Sequence, residues 1–254
     1  MKISPMAVVD KNAHLAEDVE VGPFCVIGPN VIVGAGCKLL SHVVIDGNTT
    51  IGGAPQDLKY RGGAMKLEIG AGNVIREAVT IYIGTEAGGG ITRIGDRNLL
   101  MVNAHIGHDA HIGSRCIISN NVMLAGHVVI GDCVAMMGGV GVHHFVTIGD
   151  FAYLGGYAQI HHDVPPFVKV ADSDQVRGLN TVGLKRAGFL NADIEALEQA
   201  TRQLFYARQK PFSVALAEFD TQNGINPQVK RLVEFLRQRD IGKNGRYLES
   251  KRQA

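Results

Sequence analysis

The chain has 254 residues, with 25 basic and 24 acidic side chains and a formal charge of +1. A balance so near neutrality offers no electrostatic case for nucleic acid. No apolar run is long enough to span a bilayer, and no signal peptide opens the chain. The length suits two domains; the four cysteines show no metal-ligand spacing, which fits a reducing cytoplasm.

From Val9 onward an aliphatic residue recurs at every sixth position: Leu15, Val21, Ile27, Val33, Leu39, Ile45 and Ile51. The beat returns at Ile69, Ile75 and Ile81, then runs in register from Ile94 through Ile106, Ile118 and Met136 to Ile160. A small or β-branched residue follows four positions later, as at Cys25, Cys37, Ala104, Ala110 and Cys116. Glycine often follows directly, as at Gly22, Gly95, Gly107 and Gly113, and is expected to relieve strain near a bend. A six-residue period fits neither a helix nor a half-buried strand. It predicts a parallel β-helix over residues 1–166, with three hexads per triangular coil and coils stacked at about 4.8 Å.

Two interruptions break the beat. Ile51 and Ile69 stand three hexads apart, so the register is expected to survive, with residues 53–63 bulging from one coil. Between Ile81 and Ile94 the spacing is 13, one too many, across a stretch containing Gly88-Gly89-Gly90. Excursions from a rigid scaffold are where binding and catalysis concentrate.

After Pro165-Pro166 the composition changes. Residues 167–190 read as a connector, and residues 191–254 as a small helical domain. Its apolar face is carried by Ile194, Leu197, Leu204 and Phe205, then Val214, Leu216 and Phe219, then Val229, Leu232 and Leu236. Asn226-Pro227 places a cap and a first-turn proline. This half carries basic residues, among them Lys185, Arg186, Arg202, Arg208 and Lys210.

The ten histidines fall in informative phases. Counting in coils of three hexads puts His108, Gly126, His144 and His162 in one column, Asp109 and His127 in the next, and His143 and His161 in a third. His105 shares a coil with His108. Three chemistries could use such a ridge: general-base catalysis by an imidazole that Asp109 orients, with the Gly126 amide as an oxyanion donor; zinc binding by converging imidazoles; or polar stacking without catalysis.

The segments Pro55-Gln56-Asp57-Leu58-Lys59-Tyr60 and Asn103-Ala104-His105-Ile106-Gly107-His108-Asp109 resemble motifs of the UDP-N-acetylglucosamine acyltransferase family, which opens lipid A synthesis. So do Leu124-Ala125-Gly126-His127, Asp163-Val164-Pro165-Pro166 and Gly183-Leu184-Lys185-Arg186. The resemblance covers almost the whole chain. It implies a mainly β fold, a left-handed parallel β-helix followed by a small α-helical domain, assembled as a homotrimer in the cytoplasm. It implies transfer of a 3-hydroxyacyl group from acyl carrier protein to the 3-hydroxyl of UDP-GlcNAc, with no cofactor and no metal. By the same resemblance His108 is the general base, Asp109 its orienting carboxylate and Gly126 the oxyanion donor. Gln56, Asp57, Lys59, His105, His127, His143 and His144 lie around the sugar nucleotide, Asn180 and Arg186 near its nucleotide end, and Gly155 and Gly156 where acyl length is set. The chain departs from the family at Tyr82-Ile83, where a polar residue and an arginine are usual, at Val182 and at Ala187, and it is short by about two hexads before the loop at residues 56–60. Related hexapeptide acyltransferases with an amine acceptor, and a zinc-dependent hydratase, are the alternatives.

Overall fold

The computed structural model describes residues 1–29, 31–45, 49–63, 65–206, 210–221 and 224–251; Arg208 lies outside them. The hexads build a left-handed parallel β-helix with three flat faces. The faces are sheets of 8, 10 and 8 strands, visited in rotation. The first sheet runs from Lys2–Ile3 to Thr147–Ile148, the second begins at Val8–Val9, and the third runs from His14–Leu15 to Gln159–Ile160. Most strands are two residues long, one side chain pointing out and one in. In the regular coils each strand pairs with the strand three hexads on: Ile106 with Leu124, and Leu124 with Val142.

The beat is the core. Ile27, Ile45, Ile75, Ile106, Ile118 and Leu124 are at most 1% exposed, and the small residues Cys25, Val43, Ala104 and Ala110 are fully buried between them. Burial raises the Cys37 and Cys116 thiols to about 12, so these two are inert packing groups.

The corners differ from expectation. The residue in the left-handed region is the third after the aliphatic one, and it is rarely glycine: Arg97, Asn103, Asp109, Arg115, Asn121, His127 and Cys133 have φ between 57° and 61°. Amide bonds to the preceding coil hold several of them, as from His127 to the His108 carbonyl at 2.9 Å and from Arg115 to the Asp96 carbonyl at 2.8 Å. The glycines directly after the aliphatic residue do something else. A Cβ on Gly107 would come within 2.7 Å of Ala125 and Gly126 backbone, and one on Gly113 within 2.7 Å of Gly131 backbone. They clear space for the next coil rather than relieving strain.

Both interruptions leave the prism at one corner, between the third and first sheets. Ile51 sits on the third sheet and Ile69 on the first, so the chain between them makes one corner and not one coil. Leu39 pairs with Ile69, two hexads beyond the regular repeat. Ile81 pairs with Ile106, a hexad and one further position beyond it. The two excursions touch where the Lys66 amide donates to the Gly90 carbonyl at 2.9 Å.

The connector is ordered. Val168–Ala171 extends the second sheet and pairs antiparallel with Gln175–Leu179. Helices α1 (Thr181–Arg186), α2 (Asn191–Phe205), α3 (Phe212–Ala217), α4 (Pro227–Asp240) and α5 (Tyr247–Ser250) follow. Asn226 caps α4 by accepting from the Gln228 amide at 2.8 Å, with Pro227 in the first turn. Ile194, Leu197, Leu204, Leu216, Phe219, Leu232 and Leu236 form a second buried cluster, whereas Val214 is exposed. The end of the chain grips the last coil: Arg246 donates to the His161 carbonyl and the Tyr247 amide to Asp163, each at 2.8 Å. Among the described residues, no helix is long and apolar enough to cross a membrane.

Candidate active site

The corner that releases both excursions also carries the histidine columns one coil later. His108 and Asp109 lie between His105–Ile106 of the third sheet and His111–Ile112 of the first. Above them on the same corner come Gly126 with His127, then His143, His144 and Phe145.

Asp109 is the fixed point. Its side chain is 1% exposed, and His108 Nδ1 lies 2.7 Å from Oδ2. Thr85, at the start of the second excursion, donates its amide to Oδ1 and its hydroxyl to Oδ2, both at 2.7 Å. The Asp109 amide donates to Thr92 Oγ1 at 2.8 Å. Burial alone would raise the carboxyl; the bonds from His108 and Thr85 outweigh it and hold the group below the usual carboxylate range. An ionised carboxylate is acceptor-only, so it fixes the proton of His108 on Nδ1 and leaves Nε2 as the basic nitrogen. Gly88, in the same excursion, lies so close that any side chain there would overlap the Asp109 carboxylate. Sequence reasoning did not find Thr85, and it marked Gly88 only as part of the excursion, not as a neighbour of Asp109; the extra length of this excursion was the available signal.

The His108 ring lies across Gly126, where a Cβ would sit 2.7 Å from Nε2 and Cε1. The Gly126 amide makes no hydrogen bond among the described residues. His127 meets the His108 ring edge-on at 5.0 Å, stacks on Phe145 at 4.4 Å, and brings Nε2 to 3.7 Å from Asp109 Oδ2. His105 accepts or donates through Nδ1 to Thr80 Oγ1 at 2.9 Å, and burial lowers its pKa. The rings of His143 and His144 are 3.8 Å apart.

His108, Asp109 and His127 place their ligand atoms within 4.8 Å, a spacing a metal ion tolerates. The Asp109 oxygens, however, are already acceptors for His108 and Thr85.

Among the described residues, the loop motif makes one hydrogen bond to the coils, from Gln56 Nε2 to the Tyr82 hydroxyl at 2.8 Å. Asp57 accepts the Lys59 amide at 2.9 Å and shapes the turn, while Lys59 is exposed. Three sequence-selected groups lie elsewhere in this chain. Asn180 caps α1 at the corner between the first and second sheets, donating to the Phe151 carbonyl at 2.8 Å. Arg186 is exposed in the last turn of that helix. Gly155 and Gly156 occupy the corner between the second and third sheets. A groove of about 540 Å³ crosses the third sheet between that corner and the histidines, lined by Gly139 and Tyr157 toward that corner, by the His105–Gly141 column on the sheet, and by Ala125 and His161 toward the other corner.

The family model described as Udp N-acetylglucosamine O-acyltransferase, domain 2, matches residues 163–244, and that of the bacterial transferase hexapeptide matches residues 91–126. A relative from Xanthomonas axonopodis pv. citri, an acyl-[acyl-carrier-protein]--UDP-N-acetylglucosamine O-acyltransferase, is 43% identical over 92% of this chain and 94% of its own. The UDP-N-acetylglucosamine acyltransferase of Bacteroides fragilis superposes with a TM-score of 0.74 at 34% identity, covering 92% of this chain and 96% of that one. The Moraxella catarrhalis structure gives 0.71 at 40%, over 92% and 96%. With that likeness running through both the coils and the helices, the chain belongs to the UDP-N-acetylglucosamine O-acyltransferase family.

Proposed function

We propose that this enzyme moves a 3-hydroxyacyl group from acyl carrier protein to the 3-hydroxyl of UDP-GlcNAc, with His108 as general base. The observation that carries the reading is the 2.7 Å contact between His108 Nδ1 and a buried Asp109, which leaves Nε2 facing out over a residue with no side chain. A sugar hydroxyl is a poor nucleophile until its proton leaves. His108 Nε2 takes that proton as the oxygen attacks the thioester carbonyl. Asp109 stabilises the imidazolium that forms. The free Gly126 amide donates to the developing oxyanion. Collapse expels the carrier thiolate, which recovers the proton from His108, so no covalent enzyme intermediate is needed.

Gln56, Asp57, Lys59, His105, His127, His143 and His144 surround the sugar. Asn180 and Arg186 stand on another corner of the same prism. In this reading they meet the nucleotide from a neighbouring copy, in a homotrimer with sites between subunits. Arg186 suits a diphosphate through its planar fork. Residues 1–166 carry the chemistry, residues 167–190 link, and the basic helical domain of residues 191–254 receives the acidic carrier protein. Four free thiols suit a reducing cytoplasm.

The test is His108→Ala. Transfer to UDP-GlcNAc should fall about 10²–10⁴-fold with the fold retained. Near-parental turnover would remove His108 from its role. Product mass spectrometry with 3-hydroxyl and 3-amino acceptors identifies the nucleophile.

A further inference from the structure

Tyr82 departs from the family's usual pattern and has no part in the chemistry above. It ends the strand Thr80–Tyr82 just before the second excursion, and it pairs with Gly53, where the first excursion leaves the coil beneath. Its ring lies on Gly53, where a Cβ would come 3.2 Å from Cε1. It also meets the His105 ring at 5.5 Å and 56°. Its hydroxyl accepts the Gln56 amide at 2.8 Å.

Among the described residues, the other hydrogen bonds of the loop stay within it. The Lys59 amide donates to Asp57 Oδ1 and the Tyr60 amide to the Asp57 carbonyl, while Arg61 donates to the Leu58 and Tyr60 carbonyls. Pro55 is buried at the base of the loop, but at its tip Leu58 is 96% exposed and gives no apolar anchorage. Among the described residues, Gln56–Tyr82 is the one hydrogen bond that joins residues 54–63 to the coils.

We infer that Tyr82 is the positioning residue of the sugar-nucleotide loop. Its hydroxyl holds Gln56, and through Gln56 the turn at residues 57–59, beside His105 and the His108 corner. A loop without this pin must be ordered when substrate binds, and that ordering weakens binding. The ring supplies the second half of the device, because it sits between the side-chain-free Gly53 and His105 and so fixes where the hydroxyl points. The inference rests on the proposed function for the identity of the ligand.

Tyr82→Phe keeps the ring and removes the hydroxyl. In the unliganded protein, hydrogen exchange at the amides of residues 57–63 should quicken severalfold, with the strands at His105–Ile106 and Met123–Leu124 unchanged. KM for UDP-GlcNAc should rise about 5- to 10-fold, with kcat and KM for the acyl carrier protein within about twofold of the parent. In a Gln56→Ala background the same substitution should add nothing further. Unchanged loop exchange, or a KM increase that persists in full without Gln56, overturns the inference. A parent protein that transfers nothing to UDP-GlcNAc sinks the proposed function and with it Tyr82's role toward substrate. An active parent whose Tyr82→Phe variant is indifferent sinks the inference alone.

Discussion

At the corner between the first and second sheets, Asp132 Oδ1 accepts the Ser114 amide at 2.7 Å and Asp150 Oδ1 the Asp132 amide at 2.8 Å. At the corner between the third and first sheets, Asp109 Oδ1 accepts the Thr85 amide at 2.7 Å. The same device laces coils together at both corners, since each carboxylate takes an orphan amide from the coil beneath. Their second oxygens differ. Asp132 Oδ2 faces a half-exposed Arg115 at 3.8 Å, and Asp150 Oδ2 pairs with Arg231 at the surface. Asp109 Oδ2 is buried and meets His108 and the Thr85 hydroxyl. The second excursion makes the difference, because it covers the carboxylate and supplies two donors. Burial with an imidazole neighbour converts a lacing group into an orienting one.

Replacing one carboxylate at each corner should separate these roles most sharply. Asp109→Asn puts an amide against His108 and favours the wrong tautomer, leaving the proton on Nε2. Transfer should fall about 10²–10⁴-fold. Asp132→Asn retains an acceptor for the Ser114 amide, so turnover should stay within about twofold and stability within about 1 kcal/mol. Parallel assays of the two purified variants decide this. Comparable losses of activity would erase the distinction between the corners.

Glycine substitutions give a smaller contrast of the same kind. A Cβ at Gly126 collides with the His108 ring, which can swing toward solvent, so Gly126→Ala should lower kcat about 10- to 100-fold with little loss of stability. A Cβ at Gly113 meets Gly131 backbone, which cannot yield. Gly113→Ala should cost about 1–3 kcal/mol in denaturant unfolding and leave kcat alone. The reverse pattern would mean that the corner glycines serve one purpose.

Much of this was legible from spacing. Counting by three hexads placed His108 against Gly126 and Asp109 beneath His127, because a rigid coil turns sequence distance into height. The count failed where chain was inserted. A three-hexad interval describes either a full coil or one corner carrying two extra hexads, and the periodicity of Ile51 and Ile69 is the same in both cases. Only pairing distinguishes them. Thr85 stayed hidden for the same reason, since its contact with Asp109 depends on how the inserted chain folds back. Asn180 reads as a site residue by resemblance, and pairing adds a role that spacing did not show, since its side-chain amide caps α1 and ties it to Phe151.

Acid should weaken the catalytic region in two steps. Burial lowers the His105 pKa, so the folded state resists its protonation. As pH falls through about 6.5, the unfolded chain takes a proton that the folded one refuses, and stability drops. Asp109 is depressed as well, so its contribution is complete above about pH 4 and is lost as pH falls through its still lower folded value. Denaturant unfolding of the parent should therefore weaken in two windows. His105→Gln should flatten the upper one and Asp109→Asn the lower. A parent profile flat from pH 7.5 to 5.5, an interval around that reference value of about 6.5, would remove His105 from the account.

The smallest effect belongs to the outermost charge of the lacing corner. Arg115 reaches Asp132 Oδ2 at 3.8 Å with both side chains half exposed, and donates to Cys133 Sγ at 3.2 Å. An exposed pair at that distance gains little over two hydrated ions, and salt screens it further. Arg115→Gln should melt with the parent at low and at high salt and retain full turnover. A clear loss at low salt that salt abolishes would show that the Arg115–Asp132 pair, and not the carboxylate-to-amide ladder beside it, holds this corner together.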